Sequence, residues 1–225
     1  MYSTKSRKTV IQCDFDGTIT KKDVSLILLD TFASGDWRHL LREYKEGKIS
    51  VGCFNTTAFA TVRAGRESLL EAIKGRVKVR AGFHELVVYC RRQGLRLVIV
   101  SNGLDFYIKA ILSDIGIADI HIFAAQTLFF PKGMQARYVG PDGRHSQNGL
   151  KEAYVSLFLR RGYQLVYVGN GPSDFPAAKR CHHIFATGGL LDYCKRMNVH
   201  CDAFTDFNDI VRSLEILQRH KELPL

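Results

Sequence analysis

Apolar residues in this chain follow two rhythms. Thr9–Phe15 (TVIQCDF), Leu95–Val100 (LRLVIV), Leu165–Val168 (LVYV) and His183–Ala186 (HIFA) are short runs rich in β-branched or aromatic residues, each closed by turn-forming or polar residues. Such runs predict short strands buried inside a sheet. Helix-like stretches lie between them: Glu85–Gln93, which Gly94 stops, Lys151–Leu159 and Pro176–Lys179. Strands alternating with helices imply right-handed crossovers, hence an α/β, Rossmann-like parallel sheet with helices on both faces. In such sheets ligands sit at the carboxyl ends of the strands.

The rhythm changes between Thr20 and about Val79. Val24, Ile27, Leu28, Trp37, Leu40, Leu41, Tyr44, Phe59, Val62, Leu69, Leu70 and Ile73 fall at helical spacing, with no convincing strand among them. The segment far exceeds a βα loop of about 2 to 6 residues. It predicts a small helical cap over residues 21–79, inserted after the first strand, with residues 1–20 and 80–225 forming the core. A lid there would exclude water. Farther on, Phe123–Phe130, Pro131-Lys-Gly133, Gln135–Val139 and Pro141-Asp-Gly143 predict a hairpin-like excursion ahead of Lys151.

With 225 residues, 46% of them hydrophobic and 24% charged, the chain can bury a proper core. No apolar run is long enough to span a bilayer, and the opening MYSTKSRKTV lacks a following apolar signal region, which predicts a cytoplasmic protein without a membrane partner. The six cysteines are scattered, with no C-x-x-C pair, and read as reduced thiols. Cys181, His182, His183, Cys194, His200 and Cys201 share the tail, but their spacing fits no familiar zinc knuckle.

A formal charge of +10 suits an anionic partner. The basic residues form no aromatic-interleaved stripe or reader motif, so a small phosphorylated metabolite is expected in preference to nucleic acid. A merely solvated basic surface accounts for the charge equally well.

The candidate chemistry begins with Asp14 and Asp16, two carboxylates that close the first strand and run into Gly17-Thr18. Adjacent charges at a strand end repel, and a cation would resolve the conflict. Magnesium prefers such oxygen ligands. Asp-x-Asp alone is also an ordinary turn pattern. Three further groups come later, in order: Ser101-Asn-Gly103 at the end of the second predicted strand, Lys151 near a helix start, and Gly169-Asn-Gly-Pro-Ser-Asp174 after the third strand.

Asp14-Phe-Asp-Gly-Thr18 resembles the first motif of the haloacid-dehalogenase (HAD) superfamily phosphatases, and the three later groups resemble the second, third and fourth motifs. The resemblance implies that Asp14 is the nucleophile and Asp16 the general acid/base. It also implies that Ser101, Asn102 and Lys151 bind the phosphoryl group, and that Mg2+ is held by Asp14, Asp16 through its carbonyl, Asn170 and Asp174.

Chemically, a carboxylate that forms an acyl-phosphate splits hydrolysis into two easier displacements. An acid two residues away protonates the leaving oxygen and then activates water. One position departs from the family pattern, because Asn170 stands where an Asp is usual. An amide carbonyl is still a hard oxygen ligand, but one negative charge is lost. The alternative is therefore a catalytically weakened HAD-like protein that binds a phospholigand or regulates.

The helical segment directly after the first motif resembles the cap of the phosphoserine-phosphatase-like branch. Ser101–Ile108, Gly171–Asp174, Ala186–Leu190, Tyr193-Cys194 and Phe204–Ile210 are similar to the methionine-salvage phosphatases acting on a methylthiopentenyl 1-phosphate. Within the cap, Trp37, Tyr44, Phe54, Arg63 and Arg66 are candidates for contacts beyond the phosphate.

Overall fold

Residues 8–145 and 148–220 are described by the computed structural model. The apolar runs become the middle of one sheet. Its strands are β1 (Thr9–Cys13), β2 (Arg96–Leu104), β3 (His121–Phe130), β4 (Gly133–Arg137), β5 (Gln164–Gly169), β6 (His183–Ala186) and β7 (Asp202–Ala203). They lie in the order β4-β3-β2-β1-β5-β6-β7. Every pairing is parallel except β3 with β4, an antiparallel hairpin that closes one edge. All five residues of β1 are buried, as a central strand covered on both faces requires.

The register places the chemistry. Cys13 pairs with Ile99 on one side and Val168 on the other, so the segments after β1, β2 and β5 emerge side by side at the carboxyl edge. Between β2 and β3 the register shifts from Val100 to Leu104, so Ser101–Gly103 form an irregular stretch of β2 without regular pairing to β3. Helices α5 (Phe83–Arg92), α6 (Asp105–Asp114), α7 (Leu150–Arg160), the short α8 (Phe175–Ala178), α9 (Gly188–Arg196) and α10 (Phe207–Arg219) supply the crossovers and outer layers.

Between β1 and α5 stand α1 (Val24–Phe32), α2 (Trp37–Lys45), α3 (Val51–Phe59) and α4 (Arg66–Ile73). The first three begin at a polar cap: Asp23, Asp36 and Ser50 each accept a hydrogen bond from the backbone N–H three residues on. The segment leaves and rejoins the sheet through a narrow stem, where Thr20 bridges Val79 and the Arg80 N–H donates to the Ile19 carbonyl at 2.7 Å. No helix among the described residues is long and apolar enough to cross a membrane. All six cysteines are free thiols.

Candidate active site

The strand ends open into a pocket of about 210 Å³. Asp14, Asp16, Ser101, Asn102, Lys151 and Asn170, separated by up to 156 positions in sequence, all line it. Asp14 follows β1 directly, its N–H donating to the Val168 carbonyl of β5 at 2.9 Å. Lys151 sits in the first turn of α7, only 2% exposed, with Nζ 2.8 Å from Asp14 Oδ1 and 2.6 Å from Asp174 Oδ1.

Asp174, which the sequence offers either as a metal ligand or as the group that fixes Lys151, bonds Lys151. It is fully buried behind the pocket and does not line it. Its Oδ1 accepts from Lys151 and from the Tyr167 hydroxyl at 2.7 Å, and its Oδ2 from the Asn170 and Gly171 N–H groups at 3.0 and 2.8 Å. Four donors saturate this carboxylate, so what it holds is the Lys151 ammonium and the backbone turn that presents Asn170.

The remaining oxygens suit a small hard cation. The Thr18 hydroxyl lies 3.3 Å from Asp14 Oδ2 and 3.0 Å from Asn170 Oδ1, so these two oxygens converge on one point. Gly17 makes that approach possible: its φ of +75° suits glycine, and a β-carbon there would run into the Asn170 amide. Asp14, Asp16 and Asp23 line the pocket, with Asp174 behind it, and Lys151 is the one buried cationic side chain among the described residues; Lys45 stands at the wall. No three His, Cys, Asp or Glu side chains among the described residues gather into a metal cluster. Asp14 Oδ2 and Asn170 Oδ1 together fit magnesium, which keeps several waters and takes one or two carboxylates plus a substrate phosphate.

The electrostatics follow from this crowding. Burial, then the charge of Asp174, pushes the Asp14 carboxyl up to about 6 despite Lys151. Burial would lower the Lys151 ammonium, but Asp14 and Asp174 more than reverse it, so it stays charged. Burial, then Asp23, raises Asp16 well above the carboxylate range. Asp16 is held in place by two donors, the Val24 N–H at 2.8 Å to Oδ1 and the Tyr107 hydroxyl at 2.5 Å to Oδ2. A carboxyl both raised and fixed in direction suits a proton donor.

Several of these contacts have no counterpart in the expected motifs. Tyr107 lies in a run that carries only the branch resemblance, and Asp23 belongs to none of the four motifs; it is the N-cap of α1. Arg80 clasps the Asp14–Thr18 turn, donating to the Gly17 and Thr18 carbonyls at 2.8 and 2.9 Å. Among the candidates for contacts beyond the phosphate, Tyr44 and Phe54 line the pocket, their rings stacked with centroids 5.8 Å apart. The others lie elsewhere. Trp37 is buried beneath the Arg38 guanidinium, Arg63 donates to the Lys132 carbonyl, and Arg66 opens α4; none lines the pocket.

The profile of the haloacid dehalogenase-like hydrolases matches residues 11–179, and the chain belongs to that family. It is 28% identical over 218 residues to the 2-hydroxy-3-keto-5-methylthiopentenyl-1-phosphate phosphatase of Brevibacillus brevis, covering 95% of this chain and 98% of that one. It is also 28% identical over 223 residues to Pdp3-interacting factor 1 of Schizosaccharomyces pombe, covering 95% and 97%. Among solved structures, a phospho-aspartyl intermediate analogue of phosphoserine phosphatase superposes with a TM-score of 0.68 at 19% identity, over 92% of this chain and 99% of the other. That likeness concerns the fold.

Proposed function

We propose that this HAD-family hydrolase is a phosphatase that cleaves a small phosphate monoester through an aspartyl-phosphate. The observation that carries the reading is the single pocket shared by Asp14, Asp16, Ser101, Asn102 and Lys151. An Asp14 carboxylate oxygen attacks phosphorus, and the P–O bond to the alcohol breaks as Asp16 gives its proton to the leaving oxygen. The Ser101 hydroxyl, the backbone N–H of Asn102 and the Lys151 ammonium offset charge on the phosphoryl oxygens. Asp16, now a carboxylate, takes a proton from water as that water attacks phosphorus. Asp14 is released, and inorganic phosphate departs.

Mg2+ would be held by Asp14, the Asp16 carbonyl and Asn170, with Asp174 acting indirectly through Lys151 and the Asn170 turn. When bound, the ion offsets phosphoryl charge and the mutual repulsion of the carboxylates. Residues 21–79 would serve as the cap over a core of residues 1–20 and 80–225, with Tyr44 and Phe54 facing the leaving group. The names of the relatives put 2-hydroxy-3-keto-5-methylthiopentenyl 1-phosphate first among substrates to try. Six free thiols suit a reducing cytoplasm.

The test is a phosphate-release screen over phosphorylated metabolites with Mg2+ and Mn2+, run beside Asp14→Asn. Turnover in the wild type, lost by at least about a thousandfold in a folded Asp14→Asn, is expected. No release from any ester by the wild type, or full activity in Asp14→Asn, would overturn the reading.

A further inference from the structure

Ser101–Gly103 form the irregular stretch of β2 where its register with β3 shifts, so their peptide groups lack regular ladder partners on that side. The peptide joining Asn102 to Gly103 finds them at both ends. Its carbonyl accepts from Asn55 Nδ2 at 2.8 Å and from the Tyr138 hydroxyl at 2.5 Å. Its N–H donates to Ser101 Oγ at 3.0 Å. Asn55 Nδ2 also lies 2.7 Å from the Tyr138 oxygen, which closes a triangle.

The proton count in this triangle is determined. Tyr138 has one proton and gives it to the Asn102 carbonyl, so its oxygen accepts from Asn55. Asn55 Nδ2 then donates to both the Asn102 carbonyl and the Tyr138 oxygen. Asn55, Tyr138 and Ser101 are 4%, 3% and 1% exposed; Asn55 and Ser101 line the pocket, whereas Tyr138 does not, so water is not ready to replace a partner that Tyr138 loses. Burial raises the Tyr138 hydroxyl, which keeps its proton at any physiological pH.

The consequence falls on Ser101. With the Gly103 N–H directed at its oxygen, its own hydroxyl proton is left to donate, and no described residue accepts it. Ser101 and Asn102 line the same pocket as Asp14. The geometry assigns Asn55 and Tyr138 as positioning residues that lock the Asn102–Gly103 peptide, so that the Ser101 hydroxyl is aimed at the bound phosphoryl group. This assignment rests on the phosphatase reading. It gives the β3–β4 hairpin a part in the site through Tyr138, which follows β4, and it ties α3 to the phosphate-binding loop through Asn55.

The alternative is that the triangle only fastens α3 to the sheet. A double-mutant cycle separates the two, with Tyr138→Phe and Asn55→Leu each made alone and in Ser101→Ala, folding being checked by circular dichroism. Two quantities are read: kcat/KM for the best ester, and the Kd of inorganic phosphate with Mg2+ present. In the wild-type background Tyr138→Phe should lower kcat/KM and weaken phosphate each by about tenfold, and in Ser101→Ala by less than about twofold. Equal losses in both backgrounds, or no loss in a folded Tyr138→Phe, would overturn the assignment. Absence of turnover in the wild type would instead bring down the phosphatase reading, and phosphate affinity across the same cycle would still decide whether the triangle acts through Ser101. Should Asn55→Leu not fold, Tyr138→Phe carries the test alone, since it removes one oxygen and keeps the ring.

Discussion

Lys151 and Asp174 face each other at 2.6 Å, their side chains 3% and 0% exposed. The ammonium also holds Asp14 at 2.8 Å, so one cation stands between two buried carboxylates. Removing a partner from such a set leaves charge uncompensated in a low-dielectric site, whereas removing both is far milder. Lys151→Met should destabilise the metal-free protein by about 3 to 5 kcal/mol, and adding Asp174→Asn should recover a large part of that. Urea unfolding of the single and double variants at neutral pH checks this; equal stabilities for wild type and Lys151→Met would contradict it.

Tyr107 donates to Asp16, and a hydrogen bond to the charged form of an acid lowers its pKa. Asp16 must be protonated to act as the acid, so activity should fall as pH rises through its pKa. Tyr107→Phe removes the lowering influence. The alkaline limb of the kcat profile should therefore move up by about half to one pH unit, with a reduced maximum because the carboxyl is less firmly aimed. A limb that moved down, or stayed still, would count against Asp16 as the group that titrates.

Burial raises Asp14 from 3.8 to about 6 in the metal-free site. For an acid raised on folding, the contribution to stability is fully present below the unfolded pKa and is lost as pH rises through the folded one. Asp14 should thus cost the metal-free protein stability between about pH 4 and pH 6. A divalent cation favours the carboxylate and reverses the loss. At a hundredfold excess over its Kd, Mg2+ should add about 2.7 kcal/mol near neutral pH. The rise in thermal midpoint should be larger at about pH 7.5 than at about pH 5, where protons compete for Asp14. Asn170→Asp, which adds a carboxylate, should tighten Mg2+ by about tenfold. Calorimetric titration of metal into both proteins measures it.

Gly103 is needed for space. A β-carbon there would collide with both the Tyr107 hydroxyl and Asp16 Oδ2, the two ends of one hydrogen bond. Gly103→Ala should cut kcat by about a hundredfold while the protein stays folded, because misplacing a catalytic group by an ångström costs that much. Steady-state kinetics beside a thermal melt would show whether the loss is in the site or in the fold.

Much of the scaffold is legible in the residue order. Four apolar runs mark β1, β2, β5 and β6, since a strand covered on both faces must be apolar at nearly every position. Helical spacing from Val24 to Ile73 marks the segment that forms α1 to α4, and alternation beyond Phe123 marks the β3–β4 hairpin. The motif residues Asp14, Ser101, Lys151 and Asn170 stand at element ends, which is why they meet in one pocket. Helices α6, α9 and α10 and the two-residue β7 have no counterpart among the predicted elements, although α10, with 13 residues and the Asp206 cap, carries a helix signal of its own.

What only the tertiary structure decided is direction. From the sequence Asp174 could either ligate a metal or fix Lys151; in the fold four donors turn it inward to Lys151 and the Asn170 turn. Tyr107 meets Asp16 across 91 positions, and Tyr138 meets Asn55 across 83. Such contacts arise from how helices and a hairpin settle against a sheet edge, where packing and the need to satisfy buried polar groups choose the partners. Periodicity along a chain encodes which face is buried, while the aim of a single hydroxyl or carboxylate depends on neighbours that only the folded chain brings near.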